Sequence, residues 1–151
     1  MKLEPLMTYH AELRPPVSVG PGPYGTRNIF EVIGGAFEGP RMRGNLRTGG
    51  GDWLLVDAEG IGHLDVRATF ETHDGALIYV QYFGRLVLTD ALAQALQGHG
   101  QTDFGDTHFV SQPRFETGDL RYAWLNQVMA VGEGRVRNGR VEYQVFECVC
   151  G

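Results

Sequence analysis

The residues best suited to chemistry in this chain fall into three groups. The first is Asp52–Trp53, which follows three glycines. A carboxylate beside an indole is poorly solvated, and a carboxyl group so placed serves as a general acid or base near neutral pH. The same pair also suits a turn cap with a packing ring. The second group lies between His63 and His73, where strict alternation puts His63, Asp65, Arg67, Thr69, Glu71 and His73 on one face, and Leu64, Val66, Ala68, Phe70 and Thr72 on the other. Facing a barrel interior, Arg67 and Glu71 would supply a clamp and a base. Facing solvent, they form the polar side of a half-buried strand, the reading favoured by the apolar opposite face. The third group is Arg114, Phe115 and Glu116 with Tyr122, Trp124 and Asn126. If Leu120 to Val131 is a strand, Tyr122, Trp124 and Asn126 share a face and form a wall for a planar, partly polar ligand, or else core rings with internal partners. Tyr79 and Tyr82, on a strand from Ala76 to Phe83, complete the set of ligand-contacting candidates.

Other chemistries fit poorly. Thr48–Gly49–Gly50–Gly51 lacks the Lys-Ser/Thr and helix that complete a phosphate loop, and a strand follows it. Cys148 and Cys150 are the only cysteines and would make half of a zinc site with no other half. The five histidines show no short ligand spacing, so no metal is expected. Neither Ser18 nor Ser111 sits in a nucleophile elbow. No dinucleotide fingerprint opens a helix, and no cofactor is expected.

The elements that must position these residues are mostly strands. In 151 residues, with 42% hydrophobic and 21% charged, one ordinary core is expected, a single domain over 1–151. The 22 glycines punctuate short β-like runs, which favours an all-β fold. Strands are read from Thr8 to Arg14, Arg27 to Phe37 with a bend at Gly34–Gly35, Met42 to Leu46, Asp52 to Val56, His63 to His73, Ala76 to Phe83, His108 to Ser111, Leu120 to Val131 and Arg140 to Val149. Pro15 to Gly25 reads as a loop or irregular edge. Asp57 to Gly60, Asp74–Gly75 and Asn138–Gly139 are hairpin turns. Thr89 to Gln97 is the one helical stretch, with Thr89–Asp90 as caps and Gly98 as its stop. So many antiparallel strands avoid exposed edges by closing into a barrel, and about eight strands leave room for side chains or one small ligand.

Four ordered motifs carry a resemblance: Gly34–Gly35-x-Phe37-x-Gly39–Pro40-x-x-x-Gly44; Gly49–Gly50–Gly51–Asp52–Trp53; Thr72-x-Asp74–Gly75-x-x-Ile78–Tyr79; and Phe115–Glu116–Thr117–Gly118-x-x-x-Tyr122-x-Trp124–Leu125–Asn126. Over about Tyr9 to Val149 the chain resembles the domain-of-unknown-function family 3237, also called uncharacterised protein family 0311. The resemblance implies a single antiparallel β-barrel of calycin or lipocalin size with one short helix, usually cytoplasmic, and implies no established activity.

A net charge of −5 argues against a nucleic-acid partner. The longest apolar runs fall short of the roughly 20 residues that span a bilayer, and no signal segment opens the chain, so a cytoplasmic protein is expected. Two functional readings stand. One is a cofactor-free isomerase, cyclase or lyase acting on an aromatic or cyclic carbonyl compound. Asp52 or Glu71 would be its acid or base, Arg67 or Arg114 would stabilise negative charge, and Trp53, Tyr79, Tyr82, Phe115, Tyr122, Trp124 and Asn126 would shape the pocket. The other is a non-catalytic carrier or sensor of a small hydrophobic ligand. A third, self-association of like chains through strand edges into a homo-oligomer, predicts an interior filled by side chains.

Overall fold

The computed structural model describes Met1–Gly151. Its strands are β1 (Lys2–Leu13), β2 (Val17–Gly22), β3 (Gly25–Glu38), β4 (Arg43–Leu46), β5 (Gly50–Val56), β6 (Ile61–Thr72), β7 (Leu77–Val87), β8 (Phe109–Glu116), β9 (Ala130–Arg137) and β10 (Arg140–Val149). A short helix, α1 (Asp90–Leu96), and a 3-10 helix (Leu120–Gln127) complete it. All ladders are antiparallel, and they run β1–β10–β9–β8–β7–β6, then through β4 and β5 to β3. A further ladder between β1 and β3, from Thr8↔Glu38 to Leu13↔Val32, joins the two ends of that order and curls the sheet into a barrel.

Alternation decides which face is inside. On β6 the buried residues are Gly62, Leu64, Val66, Ala68, Phe70 and Thr72, so the charged set from His63 to Glu71 points outward. The interior is filled by rings. Tyr9 stacks on Tyr143 at 4.9 Å, Phe70 meets Tyr9 edge-on at 5.2 Å and stacks on Phe37 at 5.0 Å, and Tyr82 and Phe109 meet Tyr143 edge-on at 5.5 and 5.6 Å. Such pairs contribute roughly 0.5–1.5 kcal/mol each beyond the area they bury. β9 makes room for Phe109 with Gly134, where a methyl group would sit 2.6 Å from the ring.

Three sequence expectations change. The segment from Pro15 to Gly25 is an irregular edge, as read, but it contains a strand: β2 continues the line of β1 along β3 after Pro15–Pro16, with a register slip between Ser18 and Gly20. The strand read from His108 to Ser111 runs on through Pro113 to Glu116. Proline is tolerated there because β9 pairs with β8 only at Val110 and Ser111, leaving one side of Pro113 without a ladder partner. The strand read from Leu120 to Val131 is instead a 3-10 helix followed by β9. Asp119 caps this helix, its carboxylate accepting from the Arg121 amide at 2.9 Å. With three residues per turn, side chains two apart diverge, so the wall expected from Tyr122, Trp124 and Asn126 does not form.

α1 closes one end of the barrel. Thr89 caps it by accepting from the Leu92 amide at 3.2 Å, and Leu92 and Ala95 are buried beneath it. No helix in the chain is long and apolar enough to cross a membrane.

Candidate active site

Asp52 points into the barrel while Trp53, the next residue along β5, points out. The inward position follows from register, since Asp52 lies between Phe30 on β3 and Val66 on β6, both buried. Between β5 and β6 the ladder has no pairs at Trp53 and Leu54, and the freed amide of Asp65 donates to Asp52 Oδ1 at 3.1 Å. Asp52 Oδ2 accepts no hydrogen bond from the protein. The side chain keeps some accessible area yet is surrounded by protein on nearly every side. This burial, more than the nearby Asp65 charge and against the lowering influence of the Asp65 amide and Arg27, pushes the carboxyl up to about 7.

Three phenols share the interior with this carboxyl. Tyr9, Tyr82 and Tyr143 are 5%, 5% and 3% exposed. Burial raises all three well above the ordinary phenol value, and the field of Asp52 adds to each shift. They are therefore protonated donors at neutral pH. The Tyr9 and Tyr82 hydroxyls lie close enough to shift each other's ionisation through hydrogen bonding, as do those of Tyr82 and Tyr143, although Tyr9 Oη is outside ideal hydrogen-bond geometry.

Under α1 a cavity of about 160 Å³ is lined by Leu13, Phe30, Leu96, Val136 and Val141 together with Arg14, Gln97 and Arg140, and neither Asp52 nor the three phenols line it. Phe30 is both a wall of this cavity and the cross-strand neighbour of Asp52.

Of the other candidates, Tyr82 and Phe115 are inside, and Phe115 is 7% exposed. Arg67, Glu71, Arg114, Tyr79 and Trp53 are on the outer face. Arg67 lies over the Trp53 ring at 5.9 Å, and Glu71 pairs with Arg47 at 2.7 Å. Glu71 is therefore not a second interior carboxylate, and neither arginine faces the charge it was expected to stabilise. An outer concavity of about 370 Å³ does bring together Tyr79, Gln81, Arg114 and Asn126, with Phe115 and Thr117 behind them. Asn126 is already engaged there, accepting from the Thr117 amide at 2.8 Å and donating to the Thr117 carbonyl at 3.0 Å. Tyr122 donates to Asp74 Oδ1 at 2.8 Å, and Trp124 packs under the Arg41 guanidinium at 3.9 Å.

Sequence reasoning missed Tyr9 and Tyr143 as site residues. The available signal was a phenol on the apolar side of an alternating strand: Tyr9 with Ala11, and Tyr143 with Val141 and Val145.

The fold and site define an antiparallel β-barrel with a buried acid–phenol interior. The chain belongs to the family described as "Protein of unknown function (DUF3237)", whose model matches residues 1–148. A UPF0311 protein of Rhodopseudomonas palustris is 30% identical over 142 residues, covering 94% of this chain and 93% of the relative. Among solved structures, a conserved protein of unknown function from that organism superposes with a TM-score of 0.87 at 28% identity, covering 98% of this chain and 97% of the other. A β-barrel-like protein of Acinetobacter baumannii gives 0.81 at 35% identity, with 97% and 94% coverage. A structure described as an enzyme from Penicillium herquei gives 0.71 at 21% identity, over 97% and 94% of the chains, a likeness of fold.

Proposed function

We propose that this protein binds a small, largely apolar molecule beside Asp52 and moves a proton on it, with Asp52 as acid and base. The observation that carries the reading is one carboxyl group poised at about 7, anchored through Oδ1 to a backbone amide, with Oδ2 free and three protonated phenols around it. A general acid–base catalyst works best with a pKa near the operating pH, and such shifts cluster at functional sites. The expected chemistry is isomerisation, cyclisation or elimination without a cofactor. Negative charge developing on the ligand is met by phenols, in place of the arginines first considered.

The test uses cyclohexanone in deuterated buffer. Binding is followed at the methyl signals of Leu54 and Val66, the inward neighbours of Asp52, and exchange of the ketone's α-protons by proton NMR. Asp52→Asn should retain the methyl shifts and lose the exchange. Equal exchange by the variant and the native protein would remove Asp52 from the chemistry. A second reading, a carrier or sensor that binds without turnover, draws support from the outer concavity beside Tyr79 and Arg114. It predicts shifts at those residues and no exchange.

A further inference from the structure

We propose that the outer face of β7, with the adjoining rows of β6 and β8, docks against the same face of a second copy of this chain, forming a two-fold symmetric dimer. The contact is through a strand face, in place of the strand edges considered from sequence. Asp52 plays no part in it, and the acid–base reading stands or falls without it.

β7 itself supplies the first reason. From Leu77 to Val87 only Gln81, Gly84 and Arg85 interrupt an apolar run. An antiparallel strand with one wet face alternates apolar and polar residues, whereas a strand covered on both faces reads as nearly continuous apolar sequence. Ile78, Val80, Tyr82 and Leu86 are buried in the barrel, but on the outer face Leu77, Tyr79, Phe83 and Val87 are 51%, 38%, 48% and 38% exposed. Val110 on β8, cross-strand from Arg85, extends the patch. Exposed apolar side chains are ordinary when scattered singly; four on one strand face with a fifth alongside mark an interaction surface. The face measures about 35 Å along β7 and about 15 Å across three strands, and the relief of its side chains brings it towards the roughly 800 Å² per partner of a standard interface.

Charge identifies the occupant. The ladders set Asp65 beside Phe83 and Arg67 beside Gln81 on β6, and Glu116 beside Tyr79 on β8. Asp65, Arg67, Arg85 and Glu116 have no ion pair within the chain, and Asp65 Oδ1 is buried without a hydrogen-bond donor. Unpaired charge of both signs around an apolar stripe suits a partner that carries the same pattern reversed. A two-fold axis lying in the interface and crossing β7 at Tyr82 provides it. Two aligned sheets about 10 Å apart then set Leu77 against the partner's Val87, Tyr79 against the partner's Arg85, Gln81 against the partner's Phe83 and Asp65 against the partner's Arg67. The outer concavity beside Tyr79 and Glu116 receives the partner's Arg85. Moving the axis to Gln81 would oppose Arg67 with the partner's Arg67, and moving it to Phe83 would oppose Asp65 with the partner's Asp65, so the charges select one register.

Analytical ultracentrifugation tests this. At about 100 μM, above the micromolar dissociation constants at the weak end for such interfaces, the native chain should sediment as a particle of twice its 16.7 kDa. Phe83→Glu should raise the dissociation constant by about 30-fold or more, as loss of an interface hot spot does, and keep the native circular dichroism spectrum. Asp65→Arg and Arg67→Asp each set like charges across the contact and should be monomers alone. A one-to-one mixture of these two variants should sediment as a dimer, because opposite charges then meet at both places, a rescue that misfolded chains would not show. A native chain that stays at 16.7 kDa overturns the dimer and leaves this face to a different protein. A dimer insensitive to Phe83→Glu overturns the choice of face. Dimers formed by either charge variant alone, or a mixture that stays monomeric, overturn the two-fold register.

Discussion

Asp52→Asn should make the protein more stable, and by an amount that depends on pH. The folded carboxyl sits at about 7 against an ordinary value of 3.8, so its folded value is raised. Below about pH 3.8 both folded and unfolded states hold the proton and the group adds no pH dependence. Between the two values the unfolded chain has lost its proton while the folded protein keeps it, and native stability falls as pH rises. Above about 7 both states are ionised and the loss levels off. Roughly three pH units at about 1.4 kcal/mol each give about 4 kcal/mol. Asparagine does not titrate and still offers an oxygen to the Asp65 amide. The stability gap between variant and native protein should therefore widen by about 4 kcal/mol from pH 4 to pH 8, which moves the urea midpoint by more than about 1 M for an ordinary denaturant dependence. Urea unfolding of both proteins at four pH values tests this, and other titrating groups cancel in the difference. A gap constant within about 1 kcal/mol across the range would refute the burial of a free carboxylate and the acid–base role built on it. The expected combination, a stabler protein with no proton transfer, is the usual signature of a site maintained against stability.

Other expectations concern the framework. Asp74 is held below its ordinary carboxyl range by the Thr72 hydroxyl first and then by Tyr122. Its stabilisation is present above about pH 3.8 and lost as pH falls through the depressed value, so Asp74→Asn should lower the melting temperature at pH 7, by an amount that shrinks as the pH is taken down through the acid range. Asn126→Ala strands the Thr117 amide and carbonyl and should cost about 2 kcal/mol in chemical denaturation. Gly44→Ala places a methyl group 2.0 Å from the Glu71 carbonyl oxygen and 2.8 Å from Thr72 Cα, backbone atoms that cannot step aside. It should cost more than about 3 kcal/mol or prevent folding. Gly49→Ala meets nothing within 4 Å and strains only a backbone at φ +105°, so about 1–2 kcal/mol is expected there.

Strands were legible wherever one face was buried. The alternation from His63 to Glu71 placed the charged side outward, Asp74–Gly75 and Asn138–Gly139 turned where glycine and asparagine adopt positive φ, and Thr89 capped the single α-helix. Pattern failed where tertiary contacts outvoted it. Tyr122, Trp124 and Asn126 mimic a strand's period, but the Asp119 cap and the bonds to Asp74 and Thr117 wind that segment into a 3-10 helix. Asp52 was legible as a candidate because a glycine corner and an aromatic neighbour flagged it, though its distance in sequence from Tyr9, Tyr82 and Tyr143 hid its partners. Those four residues lie on four strands, and only the register of a curled sheet brings them together. Arg67 and Arg114 were assigned to the site on charge alone; since each strand has two faces, charge type without register cannot say which face the site occupies.

Motif residues of the family gather at one end of the barrel, and none lies in α1 at the other. Thr72, Asp74, Thr117, Tyr122 and Asn126 belong to one clasp at the β6–β7 turn: Thr72 and Tyr122 both donate to Asp74 at 2.6 and 2.8 Å, Thr117 donates to the Leu77 carbonyl at 2.7 Å, and Asn126 pairs with Thr117. The clasp stands beside the stretch where β8 and β9 lack a ladder, so its side-chain bonds replace missing backbone ones. The opposite end is closed by α1, a helix of seven residues held by one Thr89 cap and a few apolar contacts above the cavity. Isolated helices of that length are marginal in water, so α1 depends on its packing against the barrel. Opening the clasped end would break several charge-assisted bonds together, whereas displacing α1 breaks one neutral cap and exposes apolar surface. The α1 end is accordingly the easier of the two to open, and Asp52 is the one motif carboxylate that faces the interior.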